Sequence, residues 1–446
     1  MSILQTIVNA WKVADLRKKV LFTAFIIVLF RIGANIPVPF INASAIQYFF
    51  DTNASAGLLG YLNMLSGNAL ATGTVFALTI QPYINASIIV QLLAIAIPYF
   101  ERLQKEGGEE GKKKLNAITR YLTIAIGVIQ AVGYYVTLKQ YQALEAFTGF
   151  SNVLSIGVIV ITLVAGSMLV MWLGECIDER GIGNGISMIL FASIVARGPD
   201  FVSYLISAKW YVSVIIVVLA VVMFGLIVFV DNAERRIPVQ YAKRQMGRRM
   251  YGGQNTHLPI KVAMTGVMPI IFASSIVSLV PTILAFCGVS EKNFWVRFFA
   301  ADGVFYPVAL FVLIIAFSYF YTQITFDPIE VSNRIKSQGG TIAGIRHGKP
   351  TSDFIKSVLN KVTLVGALFL GVIAVLPVVA GPHLIQHVLT WFNSGINVGT
   401  WQINVSQLTS TFTFGGTTLL ILVGVVLETF RELEAQLTMR NYKGFL

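Results

Sequence analysis

Apolar runs approaching 20 residues, each nearly empty of charge, recur along this chain, and that recurrence confines its fold more than any other feature. Wound as a helix, a run of that length matches the hydrocarbon thickness of a bilayer. Ten candidate spans can be placed, on residues 20–36, 74–98, 121–138, 153–174, 183–197, 211–230, 263–286, 304–326, 362–380 and 414–430. None shows the strict alternation of a barrel strand, and a bilayer demands that backbone groups be satisfied within the segment, so the spans are predicted helices. With 55% hydrophobic and only 12% charged residues among 446, the chain also lacks the polar surface to cover a soluble globule. An all-α polytopic membrane protein is expected.

Charge orients the spans. If the amino terminus is cytoplasmic, the 33 Lys and Arg fall overwhelmingly on inner segments. The outer loops then hold only Lys139, Arg197, Lys209, Lys292 and Arg297. Arg31 lies within the first span, close enough to its outer end to snorkel. An even number of spans puts both termini in the cytoplasm. The net charge of +12 then belongs to one face, suited to acidic partners such as ribosomal RNA, anionic lipid or an acidic protein surface. Arg17, Lys18 and Lys19 precede the first span as in a secretory signal, but Arg31 interrupts the apolar run and no small-residue cleavage site follows, so a retained helix is expected. Cys176 falls on the inner side and Cys287 near the outer, which precludes a bond between them.

Division near residue 206 leaves five spans in each of 1–206 and 207–446, and an odd number inverts one half relative to the other. A trace of such a repeat survives. Pro82, Ile84, Ala86 and Ser87 of "PYINAS" match Pro269, Ile271, Ala273 and Ser274 of "PIIFAS", each in the second span of its half. Two long inner loops, about 231–262 and 327–361, carry the basic excess. In the first, "RIPVQYAK" alternates Ile237, Val239 and Tyr241, and "HLPIKV" offers a return strand. A β-hairpin is predicted, with Lys243, Arg244, Arg248 and Arg249 near its tip.

Motifs for chemistry fail on inspection. "GIRHGK" has Ala343 where a P-loop needs its first glycine and Pro350 where it needs a hydroxyl for magnesium, and "GIGNG" lacks the third glycine of a dinucleotide fingerprint. His383 and His387 share a helix face without a third metal ligand near in sequence. No Asp or Glu lies well inside a span; Asp231 and Glu428 sit at inner ends. Buried acids are the usual mark of proton-coupled carriers, so an inverted-repeat secondary transporter is the weaker alternative. A lipid-modifying enzyme would need a convergent set of His, Asp, Glu or Cys that the chain does not offer. No cofactor and no enzymatic activity are expected.

Polarity within the spans is the remaining clue. Small residues such as Gly166, Ser167, Ser275 and Ser278 suit close helix packing, but Gln81, Asn85, Gln91 and Gln130 are bulkier than packing needs. Helices that meet through amides can exchange those partners for water or a peptide. The stretch Tyr61–Phe100, which holds Gln81, Asn85 and Gln91, resembles the plug and second helix of the SecY family, pore subunits of the Sec protein-conducting channel, and "RIGANIPVP", "KEGGEEGKKK", "MWLGECIDERGIGNGISMILF", "YAKRQMGRRMYGGQNTHLPIKV" and "GIRHGKPT" extend the likeness nearly end to end.

The resemblance implies ten helices in two inverted halves around a central pore, with a short plug helix within about 58–72. It implies a pore ring of Ile80, Ile84, Ile186, Leu190, Ile271 and Ile421; a collar of branched apolar side chains dewets and blocks ions yet yields to an extended chain. The plug would comprise Gly60, Tyr61, Leu62, Asn63, Met64, Leu65, Ser66, Gly67, Asn68, Ala69 and Leu70. Asn85, Gln130, Ser274 and Ser275 would form polar contacts of a lateral gate that signal sequences part on their way to lipid. Implied partners are the small subunits SecE and SecG, the SecA motor and the ribosome, the last two docking on Lys243, Arg244, Arg248, Arg249 and Arg346. Passage of unfolded secretory polypeptides across the bacterial plasma membrane, with sideways release of membrane helices, is the expected function.

Overall fold

The computed structural model describes residues 11–49, 66–105, 107–140, 150–207, 210–241, 244–246, 249–251, 255–286, 305–395 and 415–443, together with Val8, Asn63, Ala143, Leu144 and Phe298. The first half runs α1 (Ala14–Gly33), α2 (Ala43–Phe49), α3 (Gln81–Ala96), α4 (Pro98–Lys105), α5 (Gly108–Gln140), α6 (Phe150–Arg180), α7 (Gly185–Ala196) and α8 (Gly198–Ser207). The chain continues through α9 (Trp210–Asp231), β1 (Glu234–Tyr241), β2 (Arg244–Met246), β3 (Arg249–Tyr251), β4 (Asn255–Lys261) and α10 (Met268–Phe286). It closes with α11 (Phe305–Thr325), α12 (Pro328–Ser337), β5 (Gly340–Ile342), α13 (Lys349–Gly395) and α14 (Gly415–Lys443).

Each candidate span falls wholly or largely on one of these helices. Among the described residues, five helices are long and apolar enough to cross a membrane, or six if the bent pair α3–α4 counts as one span. The protein is a multi-pass membrane protein, and its surface polarity is inverted to match. Trp210, Val218, Val221 and Phe229 on α9 are exposed, while Ser193, Ser274, Ser278 and Thr322 are buried between helices. Exposed apolar faces of that extent would be penalised in water and are at home in lipid, and buried hydroxyls can bond back to their own helix. Thr322 does so, donating from Oγ1 to the Ser318 carbonyl at 2.7 Å.

The second span departs from a simple helix. Residues 66–80 form turns, and α3 begins only at Gln81. Thr79 holds a left-handed φ of 49°, which no helix continues through, and Pro82 sits within the first turn, where its missing N–H costs nothing. At the other end Ile97 is extended ahead of Pro98, as proline dictates for its predecessor, and the chain bends by 105° into α4.

The predicted inner hairpin forms and gains a strand. β1 pairs antiparallel with β4, in a register that sets Ile237 opposite Leu258 and Val239 opposite Thr256. β5, from the second long loop, pairs with the other edge of β1, Val239 facing Ile342. Ile237, Val239, Ile260, Ile335, Ile342 and Ile355 bury together into a core of their own. The second loop is therefore not open coil: α12 is capped by Asp327, whose Oδ1 accepts the Ile329 N–H at 2.8 Å, and α13 starts at Lys349, well before the apolar stretch expected from residue 362. Cys287 and the side chains of His383 and His387 lie outside the described residues.

Candidate functional site

The six apolar residues of the expected ring come from four helices and one cap. Ile80 is the N-cap of α3 and Ile84 lies one turn on; Ile186 and Leu190 are one turn apart on α7; Ile271 is in the first turn of α10; Ile421 is on α14. Ile80, Ile84, Leu190, Ile271 and Ile421 are all at most 3% exposed and share one hydrophobic cluster, with Ile186 packed against it. One glycine lets α7 pack tightly on α6: a methyl group on Gly185 would overlap the Gly174 carbonyl. The Asn184 side chain caps α7 by accepting the Ser187 N–H at 3.1 Å, and Asp178 Oδ1 accepts the Gly185 N–H at 2.7 Å. The turn carrying Ile186 is thus fixed from both sides.

Of the expected plug, Gly60, Tyr61, Leu62, Met64 and Leu65 lie outside the described residues. Asn63 and residues 66–70 are described, and they form a turn stapled by side chains. Asn63 Oδ1 accepts the Ala71 N–H at 2.9 Å, its Nδ2 donates to Asn68 Oδ1 at 2.9 Å, and Ser66 Oγ donates to the Asn63 carbonyl at 2.8 Å. Gly67, at φ +63°, lies against α7, where a Cβ would stand 3.0 Å from the Ser193 carbonyl oxygen. Ser193 is one turn beyond Leu190, so the stapled turn sits next to the apolar cluster. Arg31 does more than snorkel: its Nη1 donates to the Gly67 carbonyl at 3.2 Å.

The four expected gate residues divide unequally. α10 packs against both α3 and α5. Asn85 on α3 and Ser274 and Ser275 on α10 are buried, and Gln130 on α5 is half-buried. Ser274 Oγ donates to the Ile271 carbonyl of its own helix at 2.9 Å, and Asn85 Oδ1 has no hydrogen-bond partner among the described residues. A cross-helix bond does exist one to two turns further along α3. Tyr321 on α11 donates from Oη to Gln91 Oε1 at 2.7 Å, and Gln91 Nε2 donates to Ser87 Oγ at 3.1 Å. The Tyr321 ring lies 5.2 Å from that of Phe272 on α10. Sequence reasoning singled out Gln91 as too bulky for packing but had no means of choosing its partner among 16 tyrosines.

On the inner face, pairing of β5 with β1 places the turn that holds Arg346 beside the β1–β4 sheet, with Arg346 exposed. Arg244 and Arg249 lie on β2 and β3, whose register sets Arg244 opposite Tyr251 and Met246 opposite Arg249; Lys243 and Arg248 lie outside the described residues. Two basic loops far apart in sequence thus emerge together. Beneath them α14 is tied to both halves of the chain. Arg431 donates to the Asp231 carbonyl at 2.6 Å, Glu432 Oε2 accepts the Gly183 N–H at 2.8 Å, and Lys19 Nζ donates to Gln436 Oε1 at 3.1 Å. Burial lowers the Lys261 ammonium below the ordinary lysine value; Arg431 pushes the same way, and Asp231 and Glu234 oppose it.

A family model for SecY matches residues 74–430. The protein translocase subunit SecY of Streptomyces scabiei is 42% identical over 453 aligned residues, covering 98% of each chain. Among solved structures, a protein-conducting channel superimposes with a TM-score of 0.64 at 18% identity, covering 94% of this chain and 92% of that one. Sec61 in the canine ribosome–channel complex from the endoplasmic reticulum gives 0.59 at 16% identity over the same shares. Buried apolar cluster, stapled turn and basic inner loops therefore sit in a chain that belongs to the SecY family.

Proposed function

We propose that this chain is the pore subunit of a protein translocase, conducting unfolded secretory polypeptides outward across a bacterial plasma membrane and releasing apolar helices sideways into lipid. The observation that carries the reading is the meeting of Ile80, Ile84, Leu190, Ile271 and Ile421 in one buried cluster beside the turn at Ser66–Leu70. Branched side chains from separate helices, rather than from one continuous element, form a constriction that widens when the helices separate and is too dry to pass ions when they do not. Residues 1–206 and 207–446 act as two halves, with both termini cytoplasmic. Residues 60–70 serve as the plug, and the seam of α3 and α5 against α10 and α11 serves as the lateral gate. Exposed Arg346 and the basic β2–β3 hairpin form a docking platform for SecA and the ribosome; the ribosome-bound canine Sec61 supports that kind of partner. SecE and SecG brace the halves, energy comes from the motor and the ribosome, and the chain acts as a channel subunit rather than an enzyme.

Photocrosslinking of a stalled preprotein tests this reading. Probes at Ile84 and Ile271 should label the translocating chain, whereas a probe at Ile89, exposed on α3, should label lipid. Equal preprotein labelling at all three positions would overturn the assignment of the passage to this cluster.

A further inference from the structure

Two side chains from different helices reach the same short turn. Arg31 Nη1 on α1 donates to the Gly67 carbonyl at 3.2 Å, and Tyr134 Oη on α5 donates to the Leu70 carbonyl at 2.7 Å. Both acceptors belong to the backbone of residues 66–70. Tyr134 is only 2% exposed and Leu70 only 5%, so the second bond is shut away from solvent. The turn is internally stapled through Asn63, whose three bonds to Ser66, Asn68 and Ala71 let it move as one piece. A guanidinium within a membrane span is costly, and a carbonyl partner in a low-dielectric setting recovers part of that cost. When the turn leaves, both donors lose their acceptors together. Arg31 would then turn to water, and the Tyr134 hydroxyl would need a new partner in a tight site.

We propose that Arg31 and Tyr134 are positioning residues that latch the plug in its closed place by gripping two of its carbonyls. This rests on the reading of residues 60–70 as the plug. Because the acceptors are backbone atoms, the grip does not depend on which side chains the plug carries. It depends on its conformation, and above all on the left-handed Gly67 that turns one carbonyl toward α1. Unwinding the turn therefore releases the latch without any change of charge.

The test is a comparison of resting channel openings in planar bilayers, with the chain reconstituted alongside its small subunits and normalised to folded protein. Arg31→Gln should raise the resting open probability by about 10-fold or more and Tyr134→Phe by a few-fold, in line with charged and neutral hydrogen bonds respectively. Arg31→Lys, which keeps a charged donor, should recover part of the seal. In a chain lacking residues 60–70 none of these substitutions should add to the leak, because the latch has nothing left to hold. Equal increments with and without the plug, or silent Arg31→Gln and Tyr134→Phe variants beside a leaking deletion, would overturn the latch. A deletion that leaks no more than the parent would overturn the plug reading itself, and the latch with it. Tyr134→Phe keeps the ring and its packing, so the question stays answerable if Arg31→Gln lowers folded yield.

Discussion

Replacing Asn85 by leucine is expected to hold the gate more firmly shut. Asn85 is 4% exposed on α3, a helix that packs against α10, and its Oδ1 has no hydrogen-bond partner among the described residues. An unsatisfied buried amide oxygen costs about 1–3 kcal/mol, and if α10 is what covers it, the closed arrangement alone bears that cost, since parting the helices gives the oxygen water or peptide to bond. Removing it deepens the closed state by the same amount, which multiplies the closed-to-open ratio by about 5- to 150-fold. Leucine keeps the branching of asparagine but is bulkier, and overpacking works in the opposite direction. Asn85→Ala is therefore run beside it, because alanine deletes the amide and adds no bulk. The assay is translocation into proteoliposomes of preproteins whose signal sequences are graded in hydrophobicity. Strong signals should pass at near-parental rates in both variants, and weak ones should fall by about tenfold or more. Undiminished passage of weak signals through both variants, at parental abundance of folded protein, would refute the reasoning.

Further outcomes follow from the same geometry. Ile84→Asn together with Ile271→Asn should make the resting channel conduct ions while translocation persists, because amides wet a constriction that isoleucine keeps dry; bilayer conductance per folded channel measures this. Tyr321→Phe, which removes the donor to Gln91, should move opposite to Asn85→Leu, with weak signals accepted a few-fold more readily in the graded-signal assay. Charge reversal at Arg248 and Arg249 should weaken motor and ribosome binding in a salt-dependent way without lowering membrane insertion, as read by pull-down across ionic strengths.

The fold was legible wherever the bilayer itself imposed a rule. Apolar length located the helices, and alternation at Ile237, Val239 and Tyr241 marked the inner strand, because both are local patterns tied to one periodicity. What stayed hidden depended on residues distant in sequence. Nothing in Gly340–Ile342 announces a third strand, since three residues have no period to read, and its pairing is decided by the edge that β1 leaves open. The late start of α3 also escaped, because Ala77, Leu78 and Ile80 are as apolar as any helical residue and only the φ of Thr79 sets them apart. At the candidate site, the repeated "PxIxAS" pattern pointed to Ile84 and Ile271, and both fall in one cluster. Tyr321 and Tyr134 were invisible for a plainer reason. A tyrosine in an apolar helix looks the same whether its hydroxyl meets lipid headgroups, water or a carbonyl on another helix.

The two ends of α3 give that helix a mechanical character of its own. Its 16 residues make a rod about 24 Å long. One end is jointed by the left-handed Thr79 and the other by the 105° elbow at Ile97 and Pro98. A helix continuous with its neighbours can swing only by breaking or bending backbone hydrogen bonds. A strut with a knuckle at each end tilts by rotating a few dihedrals, and its internal ladder stays whole. A tilt of α3 during gating would therefore be absorbed at Thr79 and at Ile97–Pro98, leaving the hydrogen bonds of its neighbours as well as its own in place.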